Sequence, residues 1–216
     1  ALDVSKETKK ESEMEDVILV NDLSTFQLIK DYAYFLEMIG TNYHTAQILG
    51  MGIYDGEKSY YVSFEVLKKN PNFLKSDNIK YTYDVKKQFV ALHYQNIDVK
   101  NTTFDTMIAT YLLDYTVKED IAFVAEQLNY AIPFYEDTYG TEKRPKQVEN
   151  EKIQKMACQK AKFIYETKDR LLEELKQEEE ISLFEEIEMP LAMVLADMEL
   201  TGICVDQNYL EQMGNE

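Results

Sequence analysis

The chain has 216 residues, 45% of them hydrophobic, enough for one large domain, or one domain and part of another, around a sizeable core. Its net charge of −17 is uneven: residues 165–216 hold 15 acids against 3 bases, while the other 164 residues hold 25 acids against 20 bases. With no cluster of Lys and Arg to displace phosphate counterions, the chain by itself is expected to bind nucleic acid poorly. No apolar run approaches the roughly 18 residues of a membrane span, so no membrane association is expected.

The opening Ala1-Leu2-Asp3-Val4 has no signal-peptide pattern, which predicts a cytoplasmic location, and the lack of an initial Met suggests a fragment. Residues 1–13 are polar and read as a flexible lead. Asp16 to Val20 reads as a short extended segment, and Asn21 to Ser24 offers caps for a helix through Lys30. Three strands follow, over Tyr32 to Ile39, Thr45 to Tyr54 and Lys58 to Phe64, with Asp55-Gly56 as a hairpin turn, so an antiparallel opening is expected. A helix carrying Val66 and Leu67 is broken near Asn70-Pro71. Ile79 to Tyr83 reads as a fourth strand, and from Asp84 the apolar period becomes helical. Further helices are predicted over Phe104 to Leu113, Lys118 to Leu128, residues 147–177 and Leu183 to Leu200, with a loop over 131–146. Pro190 should kink or divide the last of these, and Asp206 looks like the cap of another. The order predicts an α/β fold, a mixed sheet with flanking helices. Cys158 and Cys204 stand alone and read as reduced and buried, and His44 and His93 lack metal spacing.

Several collinear stretches resemble the bacterial DNA polymerase I family (family A polymerases). Asn42-Tyr43-His44 with Ile48-Leu49-Gly50, Tyr83-Asp84-Val85-Lys86-Lys87, and Phe104-Asp105-Thr106-Met107 running on to Leu113-Asp114 are similar to three of its segments. So are Glu188-Met189-Pro190-Leu191, Leu195-Ala196-Asp197-Met198-Glu199 and Gly202-Ile203-Cys204-Val205-Asp206. The wording is closest to the low-GC Gram-positive branch. The resemblance implies a ribonuclease H-like 3′–5′ exonuclease fold over residues 14–180 and the truncated start of a polymerase domain over 181–216. The polymerase motifs, and the Mg²⁺ they use, would lie beyond this chain. The implied partners are the polymerase domain of the same chain and, through the full-length enzyme alone, DNA; the chain by itself is expected to be a monomer.

A two-metal exonuclease needs several carboxylates around a pair of cations. The family supplies them from three places. Asp-x-Glu falls here on Phe35 and Glu37, so the first ligand is a phenyl ring, which offers no oxygen to a hard cation. Asn-x-x-x-Asp falls on Lys80 and Asp84, and a lysine there would compete with a cation or pair with Glu37 or Asp84. Tyr-x-x-x-Asp falls near Lys155 and Gln159; Tyr165-x-x-x-Asp169 spells that motif about ten residues late. Phe35, Glu37, Lys80, Asp84 and Gln159 are therefore read as vestigial positions, and no metal, cofactor or catalytic residue is expected. Ordinary roles compete: Phe35 as core, Glu37 as a strand residue, Asp84 and Asp105 as structural residues at helix starts. The sixteen tyrosines suit a half-buried sheet and domain interface better than stacking on single-stranded nucleic acid. The leading expectation is a non-catalytic module supporting a polymerase that copies DNA in replication and repair without proofreading. The alternatives are an active nuclease using Glu37, Asp84 and Asp169, and an acidic interaction protein.

Overall fold

The computed structural model describes residues 16–28, 30–40, 42–203 and 213–214. Strands β1 (Val17–Val20), β2 (Tyr32–Ile39), β3 (Gln47–Tyr54) and β4 (Ser59–Ser63) come first. β2, β3 and β4 form the expected antiparallel meander. Asp55 closes its second turn by accepting the amides of Glu57 (3.0 Å) and Lys58 (2.8 Å). β1 lies parallel to β4 on one edge. β5 (Lys80–Thr82) and β6 (Thr102–Asp105) extend the other edge in parallel, giving a six-stranded sheet of order β1-β4-β3-β2-β5-β6.

Alternation along β2 assigns its faces. Tyr32, Tyr34, Leu36 and Met38 pack with Leu67 of helix α1 (Phe64–Lys69), with Leu74, and with Ala91 and Leu92 of α2 (Val85–His93). Burying Leu36 and Met38 contributes roughly 1.5–3 kcal/mol each. A slip of one residue would forfeit this and turn Glu37 into the same apolar layer. The intervening residues Ala33, Phe35 and Glu37 therefore face the opposite side, where α3 (Thr106–Leu112), α4 (Ala122–Gln127), α5 (Tyr135–Tyr139) and the long α6 (Asn150–Gln177) lie. α6 rests directly on the sheet at Gly52. A Cβ at that position would stand 2.2 Å from the carbonyl of Ala157, so only glycine permits this approach.

Several elements depart from the sequence reading. Residues 23–28 and Lys30 form no helix: Asp22 bonds back to the amide (2.8 Å) and hydroxyl (2.9 Å) of Ser24, a local turn that competes with helical capping. The helix expected from Phe104 begins at Thr106, because Thr102–Asp105 is strand β6 and Asp105 is the cap. The Lys118–Leu128 helix is confined to α4, since Asp120 is spent on the amides of Ala122 and Tyr135. The loop over 131–146 contains α5 and a small ribbon of β7 (Gly140–Thr141) and β8 (Arg144–Pro145). The helix expected over Leu183 to Leu200 is divided beside Pro190: a short α7 (Ile181–Leu183) passes through a π turn (Phe184–Glu188) into α8 (Met189–Thr201), and Pro190, which has no N–H to offer the turn before it, sits in the first turn of α8. The flexible lead, Cys204 and Asp206 lie outside the described residues; of the helix expected after Asp206 only Met213 and Gly214 are described, and both are helical. Among the described residues no helix is long and apolar enough to cross a membrane.

Candidate functional site: a carboxylate held by a lysine

Phe35 and Glu37 sit two residues apart on the central strand β2 and share the face under α6. A bulge follows Glu37, re-aiming the strand as bulges beside sites often do. Opposite them on β3 stand Gly52, where the Ala157 carbonyl of α6 sits, and Gly50, where the Tyr61 ring sits. From α6, so seated, comes Lys160. Its Nζ donates to both oxygens of Glu37 at 2.9 Å and lies 4.7 Å from the centre of the Phe35 ring. Tyr139, from the end of α5, donates its hydroxyl to Glu37 Oε1 at 2.9 Å. Glu37 is 1% exposed and Lys160 4%, so a full charge pair is buried here with its acceptor capacity used. Burial and the Glu37 charge hold the Tyr139 phenol far above its ordinary value, which keeps it a hydrogen-bond donor; the same causes push Tyr61 to about 12.

The expected partner of Glu37 is not the observed one. Lys80 turns away from Glu37 and Asp84: its ammonium donates to the carbonyls of Ser76 (2.8 Å), Asn78 (2.8 Å) and Lys100 (2.9 Å) and lies 5.6 Å from the Tyr32 ring. Burial pushes Lys80 down to about 8, while the three carbonyls favour its charged form and make it a clamp on the loops flanking β5. Asp84 has a left-handed backbone (φ 55°) and caps α2 through the amide of Lys87 (3.1 Å). Its own amide and that of Val85 donate to Asp105, which also accepts from Met107. Burial pushes Asp105 up to about 7 against the pull of these three donors. Gln159 lies on the adjoining, half-exposed face of α6, one position short of Lys160. Tyr165 packs edge-on against Tyr54 and Tyr81, and Asp169 is exposed and paired with Lys168.

Three residues of the site escaped the sequence reading. Lys160 is the first and Tyr139 the second. The third is Gln88, one turn beyond Asp84, which is buried and accepts the amide of Leu36 at 2.8 Å. β5 pairs with β2 only at Tyr32 and Ala33, so the Leu36 amide has lost its strand neighbour and Gln88 replaces it. The Asp84-x-x-x-Gln88 spacing was the available signal.

The donor set does not fit a pair of divalent cations. Both Glu37 oxygens are spent on an ammonium, and Phe35 supplies no oxygen. Among the described residues no group of three His, Cys, Asp or Glu side chains could hold a metal ion. A cleft of about 510 Å³ nonetheless opens over Phe35, Glu37 and Lys160. At its mouth Tyr43 and Lys86 bond to Glu199 of α8 (2.5 Å each), and His44 pairs with the same carboxylate (2.7 Å).

Sheet order, the acidic position on the central strand and the long helix crossing it define a ribonuclease H-like domain of the exonuclease type. The chain belongs to the family described as DNA polymerase I, ribonuclease H-like domain, whose model matches residues 34–167. It is 30% identical to DNA polymerase I of Bacillus subtilis over 98% of its own length and 25% of the relative's. It is 32% identical to that of Lactococcus lactis subsp. cremoris over 99% and 24%. The chain thus spans about a quarter of the length of these relatives. Among solved structures it is similar to Brucella melitensis NrnC (TM-score 0.65, 18% identity, 86% of this chain and 92% of that one). It is also similar to the POL domain of Pol1 from M. smegmatis in complex with DNA primer-template and dNTP (TM-score 0.63, 20% identity, 84% and 30%).

Proposed function

We propose that this chain is the non-catalytic exonuclease-like part of a DNA polymerase I, residues 14–180, with 181–216 beginning the polymerase part. The observation that carries this reading is the Lys160–Glu37 pair: a fixed internal cation sits on one of the two carboxylates kept from the family pattern, and the other, Asp84, caps α2. A metal would have to displace a buried ammonium that already satisfies both oxygens and would then meet the Phe35 ring. Neither exchange is favourable for a cation that demands oxygen ligands. The role left to the domain is mechanical. Its sheet and α2 hold α8 through Glu199, and α8 leads toward whatever part of the longer protein follows. Template-directed synthesis, DNA contact and a cytoplasmic location belong to that longer protein in this reading.

Calorimetric titration with Mn²⁺ tests it: the expected result is no saturable heat in the wild type. A saturable site lost in Glu37→Ala would sink it. The rival reading, a nuclease built from Glu37, Asp84 and Asp169, has less support because those three carboxylates serve an ion pair, a helix cap and the surface.

A further inference from the structure

The cleft over the Glu37–Lys160 pair has no part in the mechanical role, yet its volume of about 510 Å³ falls within the range of small-molecule sites. Its wall carries half-buried aromatic rings. Phe123 and Phe134 meet edge to face at 4.9 Å, with Tyr135 adjoining them. Rings around this cleft already hold ammonium groups of the chain: Lys160 over Phe35 (4.7 Å), Lys118 over Phe123 (4.0 Å) and Lys86 over Tyr43 (5.2 Å). Their electrostatics therefore suit cations, as the negative ring face dictates.

The charges point the same way. Glu119, Glu136 and Asp137 line the cleft, and their carboxylates make no ion pair among the described residues. Asp120 is spent on two amides, and the charge of Lys160 is cancelled by Glu37, so among the described residues Lys87 and Lys118, the latter over Phe123, are set against the three acids and Asp120. A phosphate or carboxylate would enter against net negative charge; an amine would enter with it. The Tyr135 hydroxyl accepts the Gly40 amide at 3.0 Å, which ties this wall to the end of β2 and keeps the cleft formed.

We propose that this cleft binds a small organic cation, an ammonium or guanidinium on an apolar body. The body packs on Phe123, Phe134 and Tyr135, and the charge lies toward Glu136 and Asp137. The site rests on the preceding reading in one respect, that no divalent metal occupies the cleft.

The test is an NMR chemical-shift titration of the full chain with tryptamine, with indole-3-acetate (the same ring bearing an anion) and with dAMP. Tryptamine is expected to give saturable shifts around Phe134 and Tyr135. Affinity should fall about ten-fold or more in E136Q/D137N, equivalent to about 1.4 kcal/mol, and also in F134A. Circular dichroism of both variants confirms the fold. Indole-3-acetate and dAMP should not saturate. Equal binding of indole-3-acetate, or unchanged tryptamine binding in folded E136Q/D137N, overturns the cation site alone. Mn²⁺ that displaces tryptamine in a Glu37-dependent way overturns it together with the reading that the metal site is gone.

Discussion

Replacing Lys160 by Met removes the ammonium and keeps an unbranched apolar chain of similar length, so packing of α6 against Ala33 and Phe35 is largely preserved. What changes is the environment of Glu37, whose side chain is 1% exposed and would keep only the Tyr139 hydroxyl as a donor. Removing one partner of a buried pair costs about 3–5 kcal/mol, because the remaining charge stays desolvated. For a chain of this size each kcal/mol moves the melting temperature by about 2–4 °C, so Lys160→Met should melt roughly 10 °C lower at neutral pH. Adding Glu37→Gln to Lys160→Met should restore most of the loss, since an amide still accepts from Tyr139, and the double-mutant cycle reads the coupling directly. Thermal melts at neutral pH decide the matter. A neutral-pH loss under about 1 kcal/mol, the size of an exposed pair, would refute a buried Lys160–Glu37 contact.

Two further predictions follow from other contacts. Gly52→Ala puts a methyl 2.2 Å from the Ala157 carbonyl, forces α6 off the sheet and should cost about 3 kcal/mol in denaturant unfolding; a change under about 0.5 would mean α6 does not rest there. Glu199→Gln should loosen α8 and speed its amide exchange while leaving the exchange of β2 and β3 unchanged. Burial pulls the Glu199 carboxyl up, but hydrogen bonds from Lys86 and Tyr43 outweigh it and hold the group below its ordinary value. The clamp should thus be complete above about pH 4.3 and be lost in wild type as pH falls through the lowered value.

Periodicity made most of the elements legible. Alternation located β2 and β3, the Asp55-Gly56 turn located the hairpin, and the 3.6-residue period located α2 and α6. The misses share a cause: they lie where side chains bond backbone. Asp22 turns a capping pattern into a local turn, Asp105 divides Phe104–Leu113 into strand and helix, and Asp120 delays α4. At the site, alternation along the strand put Phe35 and Glu37 on one face, as the structure has them, while the motif on the late helix was left between two registers about ten residues apart. Counting spacing along a chain cannot say which residue of a 28-residue helix crosses a given strand. That is fixed by the contact of Ala157 with Gly52, which brings Lys160, rather than Gln159, over Glu37. Lys80 illustrates the converse: its charge suggested a partner at the site, yet three carbonyls near β5 were better placed.

The most direct test of the central claim is digestion of 3′-labelled single-stranded DNA by the purified chain with Mg²⁺ or Mn²⁺. Lys160 seated on Glu37 beneath Phe35 predicts no shortening above a no-protein control. Shortening that disappears in Glu37→Ala or Asp84→Ala would contradict it.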